Sequence, residues 1–335
     1  MDKKNLQKKS VVKQQFEWVA CDLCGSENFS LLFKGNDYRH FSPHTFAVCK
    51  CSQCGLVCLN PRPKSMANYY RRNYNIKLLK KDAFTWLVPN KAKKIKKLKK
   101  SGRILDIGCG RGEFLLKMHK AGWKVYGNDI SKDACDYIRI ELHLKNLYNG
   151  EPLSLNLPKN YFDVITLWHV LEHLEKPRET LEKINKLLKD NGTLVIECPN
   201  FSSIQRIFFK DKWQALELPQ HIYQFTPKII TKMLKLTGFE IYKEDFFIDP
   251  RVSFIDMKKS ILRWIGIQKP IKNSKNEELN LNSGSQTNKL IWRFLRFIFN
   301  VSCLSISVFL NCINCKDLFR VYCKKNIIKK NNSLV

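Results

Sequence analysis

Short β-branched runs alternate with amphipathic stretches along the chain from Arg103 to about residue 250. The apolar runs have the length of strands, and the stretches between them place apolar residues at helical spacing. The runs that we predict to be strands are RILDIG, WKVYGND, YFDVITLW, GTLVIECP and GFEIYKEDFF, with LFRVYCKK near the end. Such alternation predicts a doubly wound α/β fold with a largely parallel sheet and crossover helices.

A glycine-rich turn follows the first of these strands, in the segment Ile104-Leu-Asp-Ile-Gly-Cys-Gly-Arg-Gly-Glu-Phe114. Gly108, Gly110 and Gly112 suit this turn because the backbone must bend tightly and let a ligand approach without contact to a Cβ atom. Asp129 ends the next strand, 21 positions after Gly108. An acidic residue there is typical of a site that holds the hydroxyl pair of a ribose.

Three segments, DIGCGRGEF, YGNDIS and YFDVITLWHVLEHL, resemble the class I S-adenosylmethionine (SAM) dependent methyltransferases over residues 102 to 250. The resemblance implies a seven-stranded, Rossmann-like methyltransferase sheet and SAM as the cofactor. It also implies that Asp106 meets the amino group of SAM through the loop, that Gly108 to Gly110 line the methionine part, and that Asp129 takes the ribose hydroxyls. The expected cofactor-binding residues are Asp106, Gly108, Cys109, Gly110, Asp129, Ile130 and Trp168.

The adenine side of the site has a weaker signal, because no Asp stands after the third strand where the family often has one. Backbone groups and apolar contacts near Leu153 to Leu155 are expected to hold the adenine instead. A dinucleotide-binding oxidoreductase is the alternative reading of the loop. That class expects G-x-G-x-x-G around a pyrophosphate, whereas here three glycines stand at alternate positions after an Asp.

Two C-x-x-C-G turns precede the catalytic region, and 26 residues separate the two pairs. Such turns let four thiolates converge on one tetrahedral ion, so they predict a closed, structural zinc site. The predicted ligands are Cys21, Cys24, Cys51 and Cys54. Cys49 and Cys58 flank the second pair and are expected to pack rather than to bind metal.

The N-terminus is charged and polar, with no apolar run of a secretory signal, so we expect a cytoplasmic protein. Reduced thiols there make a disulfide framework of the 13 cysteines improbable. The predicted order is a basic tail (1–17), a zinc-binding module (18–75), a basic linker helix (76–101), the SAM-binding core (102–250), a helical insert (251–316) and the last core strand (317–326).

Histidines after the fourth and fifth strands are the candidate contacts to the methyl acceptor. His169 lies in WHVLEHLEKP, and His221 lies in KWQALELPQHIYQFTP, which resembles the P-x-H-x-x-x-F-T stretch of methyltransferases encoded among surface-glycan genes. Methyl transfer to oxygen needs a deprotonated nucleophile, a task that suits a histidine base. The predicted catalytic residues are His221, His169 and Tyr223. Each histidine could instead serve packing or capping, as could Glu172 and His173.

The stretch from Lys289 to Asn314 places Lys, Arg, Asn and Ser on one helical face and mostly large apolar residues on the other. It predicts either a helix in the interface of an anionic membrane, at the inner face, or a helix packed on the core or on a second subunit. Its uncharged part, Phe297 to Ile313, is short and polar for a membrane span. The oligomeric state stays open.

Basic residues outnumber acidic ones by 29, which favours anionic partners without naming one. The leading expectation is methylation of a sugar hydroxyl or sugar carbon on a nucleotide-linked or lipid-linked surface-glycan precursor, as the resemblance implies. The alternative is methylation of RNA, since a cysteine-rich N-terminus before such a core resembles certain ribosomal-RNA guanine methyltransferases. The cysteine region lacks the interleaved basic and stacking residues of a nucleic-acid face. A non-catalytic SAM-binding scaffold is the third hypothesis.

Overall fold

The structure is a computed structural model of the 335-residue chain. It describes residues 16–39, 42–66, 69, 88–247, 250–266, 305 and 317–326. Most of the predicted basic tail and, apart from Ser305, the amphipathic stretch from Lys289 to Asn314 lie outside the described residues. Within the described part of the chain, no helix has the length and apolar character needed to cross a membrane.

Thirteen strands and seven α-helices are described. The strands are β1 (Phe16–Glu17), β2 (Phe29–Asn36), β3 (Thr45–Cys51), β4 (Val57–Leu59), β5 (Arg62–Pro63), β6 (Arg103–Ile107), β7 (Lys124–Asp129), β8 (Leu147–Asn149), β9 (Phe162–Trp168), β10 (Leu188–Pro199), β11 (Tyr223–Gln224), β12 (Phe239–Phe247) and β13 (Leu318–Lys325). The helices are α1 (Val88–Leu98), α2 (Glu113–His119), α3 (Lys132–Glu141), α4 (Pro177–Leu187), α5 (Ile204–Phe209), α6 (Pro227–Leu236) and α7 (Pro250–Trp264).

Seven strands form the central sheet in the order β12, β13, β10, β9, β6, β7, β8. The pairs from β8 to β10 are parallel, whereas β13 runs antiparallel to both of its neighbours. The prediction of an α/β, doubly wound, seven-stranded methyltransferase sheet is thereby confirmed, with all six predicted strands in place. The seventh, β8, was not predicted because it has only three residues.

The central strands are apolar on both sides because helices cover both faces of the sheet. Ile104 and Val164 pair across β6 and β9 and pack with the cluster that contains Trp123. Leu105 and Ile165, one residue further on, belong to the cluster on the opposite face. Each such buried side chain contributes roughly 1.5–3 kcal/mol, so these runs fix which strands occupy the centre.

The N-terminal module, residues 16–66, is joined to the catalytic domain by a shared sheet. Strands β2, β3 and β4 are antiparallel, and β11 continues them, with Tyr223 opposite Cys58. Asp22 of the module also accepts a hydrogen bond from the Arg178 amide at the first turn of α4 (2.9 Å). The contacts that dock the module on the core therefore include a shared strand pairing and a helix start.

Helix α7 occupies the first part of the predicted helical insert. Met257 and Ser260 are buried, and the Ser260 hydroxyl accepts a hydrogen bond from the Gln214 amide (2.9 Å). The helix thus packs against the short helical turn Gln214–Leu216, which precedes the segment that carries His221.

Candidate active site

The glycine loop after β6 is built from residues with left-handed backbone conformation. The φ angles of Gly108, Gly110 and Gly112 are 69°, 53° and 75°, a region that side chains disfavour. A Cβ atom on Gly108 would lie 2.4 Å from a methyl carbon of Val170, whereas one on Gly110 would meet no heavy atom within 4 Å. The loop is thus closed toward the protein at Gly108 and open at Gly110, as a cradle for a ligand requires.

Asp129, at the carboxyl end of β7, ties this loop to the next one. Its Oδ2 accepts from the Gly110 amide (2.8 Å) and its Oδ1 from the Ser131 amide (2.9 Å). Burial raises the pKa of Asp129 from its ordinary value. The carboxylate lies where the ribose hydroxyls are expected, beside the open face of the loop.

Asp106 lies beneath the loop, where it is buried and accepts a hydrogen bond from the Thr166 hydroxyl (2.6 Å). Burial raises the pKa of Asp106 to about 7. Because its carboxylate is not exposed, Asp106 can act on a ligand only through the backbone of the loop.

The other predicted cofactor residues gather at the same edge of the sheet. Trp168 ends β9 and packs edge-to-face on Phe114, with ring centroids 5.5 Å apart. Its indole nitrogen is buried, and none of the described residues accepts a hydrogen bond from it. Ile130 is 57% exposed directly after Asp129, and Cys109 is buried within the loop. The glycine cradle, the orphaned indole donor and the exposed Ile130 fit a ligand with polar and planar parts, such as SAM.

Glu197, a buried carboxylate at the carboxyl end of β10, binds three cationic side chains at the same edge of the sheet. It is bound by Arg320 of β13 (Nε at 2.8 Å), by His169 (Nε2 at 3.1 Å) and by Lys91 of α1 (Nζ at 3.4 Å). Burial opposes ionisation, but these three cations hold the pKa of Glu197 well below its ordinary value. Four different elements are thus held together by one carboxylate.

His169 stands between two carboxylates. Its Nε2 contacts Glu197, and its Nδ1 lies 3.5 Å from Glu172 Oε1. Burial disfavours the imidazolium, but the neighbouring carboxylates of Glu172 and Glu197 outweigh this effect and raise the pKa of His169 to about 9. At neutral pH the ring is therefore protonated and has no lone pair with which to act as a base.

His173 and His221 form a second pair, with ring centroids 4.5 Å apart. Their Nδ1 atoms lie 3.0 Å from the Gln220 carbonyl and 2.8 Å from the Ala215 carbonyl, respectively. Burial and the neighbouring His221 lower the pKa of His173 to about 4, so this ring is neutral. The structure therefore brings His221 together with His173 and with Glu172.

Tyr223, the third predicted catalytic residue, lies in β11. Its hydroxyl donates to the Glu175 carbonyl (3.2 Å), and its ring stacks on Phe225. Burial raises the pKa of Tyr223 well above its ordinary value. These contacts hold β11 in place, and the hydroxyl is engaged by the backbone rather than by either histidine of the pair.

Sequence reasoning missed Glu197, Arg320 and Lys91. Glu197 and Arg320 are strand positions in the runs GTLVIECP and LFRVYCKK, and each is a charged residue with apolar neighbours on both sides. A charged residue in a buried strand needs a partner of opposite charge, so these two positions could have been predicted to form an ion pair. Lys91 was one of many lysines in a basic run, and nothing local marks it out.

The four predicted metal ligands of the N-terminal module converge. Their sulfur atoms all lie within 4.8 Å of one another, with 3.5 Å between Cys21 and Cys54 and 3.6 Å between Cys24 and Cys51. Zinc–sulfur bonds of about 2.3 Å in a tetrahedron place sulfurs about 3.8 Å apart, so the set could hold zinc.

The turns that present these cysteines are shaped by their glycines. Gly25 and Gly55 have φ angles of 76° and 85°, and their amides donate to the carbonyls of Cys21 (2.7 Å) and Cys51 (3.0 Å). Cys49, by contrast, donates its thiol to the Asn60 carbonyl (3.1 Å). This bond agrees with the packing role that was predicted for it.

A seven-stranded sheet with an antiparallel β13, a left-handed glycine loop after β6 and an acidic residue ending β7 define the class I SAM-dependent methyltransferases. The model of the methyltransferase domain family matches residues 70–244, just over half of the chain. The chain therefore belongs to that family, and the expectation of a class I SAM-dependent methyltransferase is confirmed.

Similar proteins include O-methyltransferases of ubiquinone biosynthesis. The mitochondrial one of Schizosaccharomyces pombe is 30% identical over 132 residues, which are 37% of this chain and 46% of that protein. The one of Histophilus somni is 31% identical over 136 residues, or 38% and 54%. The chain thus spans about half the length of the curated relatives it matches. A SAM-dependent methyltransferase structure from Archaeoglobus fulgidus has 23% identity and a TM-score of 0.47, covering 72% of this chain and 94% of that one.

Replacing Asp129 with alanine should weaken SAM binding by about 1–3 kcal/mol, the range for loss of hydrogen bonds to a charged group. Isothermal titration calorimetry measures the change. Asp133→Ala is the matched control, because it removes an exposed carboxylate from the start of α3 and should leave the affinity as it is. Equal affinity in both variants would contradict the assignment of Asp129.

Cys51→Ser should abolish stoichiometric zinc binding, since three remaining thiolates no longer close the shell. Elemental analysis of protein purified without added metal should find one zinc per chain in the wild type. Cys49→Ser, on the same strand, should keep its zinc. A Cys51→Ser protein with full zinc content would show that other residues bind the metal.

The charge on His169 should make the stability of the protein depend on pH. The pKa of this group is about 9 in the folded state, against an ordinary value of 6.5. Its stabilisation is therefore complete below the lower value and is lost as the pH rises through the higher one. Denaturant unfolding across this window should show a falling free energy of unfolding, and a smaller fall in His169→Gln. The same fall in both proteins would refute the charge assignment.

Proposed function

We propose that the protein transfers a methyl group from SAM to a hydroxyl of a small, polyhydroxylated acceptor, such as a sugar of a nucleotide-linked or lipid-linked glycan precursor. The observation that carries this proposal is the group of polar side chains beside the glycine loop. Glu172 and Glu217 lie with the pair His173 and His221, and Glu197 lies on the other side of His169. Carboxylates and imidazoles are hydrogen-bond acceptors, which an acceptor rich in hydroxyls requires.

His221 is the residue that we propose to act on the acceptor. A carbonyl only accepts hydrogen bonds, so the contact of Nδ1 with the Ala215 carbonyl places the ring proton on Nδ1. Nε2 then carries the lone pair, at 4.0 Å from Glu217 Oε2. A carboxylate at that distance would stabilise the imidazolium that forms when Nε2 accepts the hydroxyl proton.

The bond changes balance without any further reactant. When bound, SAM supplies an electrophilic methyl group on a sulfonium, and its carbon–sulfur bond breaks with the electron pair passing to sulfur. The acceptor oxygen forms the new bond to carbon, and its proton passes to Nε2 of His221. The remaining task of the chain is to hold the two reactants in line.

Three further observations support an oxygen of a small molecule as the acceptor. The curated relatives described above are named as O-methyltransferases. The carboxylates of Glu172, Glu197 and Glu217 also gather at this edge, where a small acceptor with hydroxyl groups could meet them. The segment that carries His221 also resembles that of methyltransferases encoded among surface-glycan genes.

We also propose that Cys21, Cys24, Cys51 and Cys54 bind one structural zinc ion. Four thiolates complete a tetrahedral shell and leave no position for a substrate. The ion would then stabilise the N-terminal module, whose sheet includes β11, two residues after His221.

The acceptor class can be tested with methyl-labelled SAM and separate pools of nucleotide sugars, lipid-linked glycans and RNA. Label should enter one of the sugar-containing pools and survive mild alkali, as an ether does. Label in RNA alone would overturn the proposed acceptor class.

His221→Ala should lower the turnover number by about 10²–10⁴-fold, the range for loss of a general base, while SAM affinity stays nearly unchanged. Turnover is measured with the acceptor found above, and affinity by calorimetry. His119→Ala, which removes an exposed histidine from the end of α2, should leave both quantities as they are. Normal turnover in His221→Ala would eliminate the role.

A further inference from the structure

We propose that Glu172, His173 and His221 bind a divalent first-row transition-metal ion, at a site separate from the four cysteines. One ligand atom from each of the three side chains lies within 4.8 Å of the other two. Glu172 and His173 come from the turn Leu171–His173 after β9, and His221 comes from the segment before β11. Two distant parts of the chain therefore present three ligand groups at one point.

The two imidazoles are oriented as metal ligands are. His173 and His221 each direct Nδ1 at a backbone carbonyl, of Gln220 and Ala215 respectively, at 3.0 and 2.8 Å. Such carbonyls hold the proton on Nδ1, so that Nε2 is the nitrogen with the lone pair. A backbone carbonyl bound to the second ring nitrogen is the usual support of a metal-binding histidine.

Glu172 supplies an independent indication of a ligand. The residue is 1% exposed, and its Oε2 accepts a hydrogen bond from the Cys198 thiol (3.4 Å). Across the described residues, no donor makes a hydrogen bond to its Oε1. The Nδ1 of His169 lies 3.5 Å from that oxygen and forms an ion pair with it, but the two atoms make no hydrogen bond. A buried carboxylate oxygen without a donor is costly, and a cation between it and the histidines would remove the cost.

The donor set selects the kind of ion. Two imidazole nitrogens and one carboxylate oxygen suit zinc, iron, cobalt or manganese better than the thiolate-preferring ions. Three protein ligands are also typical of a catalytic site, because a fourth position is left for water or a substrate.

This inference rests on the proposed function, because it assigns the open position to the acceptor hydroxyl. A divalent ion lowers the pKa of a bound hydroxyl and so performs the activation that was ascribed to the free imidazole. With the ion in place, Nε2 of His221 would be a metal ligand instead of the base, and the hydroxyl proton would pass to the carboxylate of Glu217, whose Oε2 lies 4.0 Å from that nitrogen.

A cobalt titration tests the site in protein whose four cysteines already hold zinc. Wild-type protein should bind one Co²⁺ per chain, with weak visible bands and without the strong thiolate charge-transfer absorption of a cysteine site. Glu172→Gln and His173→Gln should each weaken Co²⁺ binding by at least about tenfold, while His119→Ala should bind as the wild type does. Calorimetry with S-adenosylhomocysteine on the same variants confirms that each is folded.

Wild-type protein that binds no second ion at millimolar Co²⁺, or Gln variants that bind it as tightly as the wild type, would overturn the proposal. The cobalt titration contains no methyl acceptor, so its result does not depend on whether the proposed function is correct. Methyl transfer at full rate by enzyme with zinc only at the cysteines would reject the metal and keep the function. Cobalt binding without methylation of any hydroxyl would support the metal site and reject the proposed function.

Discussion

Negative charge buried at the carboxyl edge of the seven-stranded sheet is the constraint on which the site depends, because an unpaired buried carboxylate is too costly to keep. Glu197 meets this constraint by binding Arg320, His169 and Lys91, which come from β13, the loop after β9 and helix α1. Asp129 meets it with backbone amides alone. The geometry of the edge follows from these pairings, since each one holds a loop in a fixed place.

The N-terminal module takes part in the same edge. Arg39 of the module donates to Glu217 and to the Gln220 side chain, both at 2.8 Å. Gln220 in turn offers its backbone carbonyl to His173, and the next residue is His221. The module therefore contacts the segment that carries His221, where we propose that the acceptor binds.

The sequence was informative where the physical cause is local. Runs of buried apolar residues predicted six of the central strands, and glycine spacing located the loop. The sequence was uninformative where a strand pairing or an ion pair joins residues that are distant along the chain. Strand β11 has two residues and pairs with β4, far earlier in the chain. The bond between Arg320 and Glu197 spans 123 positions, and the charge of His169 depends on that same Glu197.

The central claim is that the edge after β6 and β7 is a site for SAM. Calorimetric titration of the wild-type protein with S-adenosylhomocysteine tests it most directly, because this product analogue binds without turnover. We expect one site per chain, competition with SAM, and no heat from NAD under the same conditions. Binding of NAD, or no binding of S-adenosylhomocysteine at millimolar concentration, would contradict it.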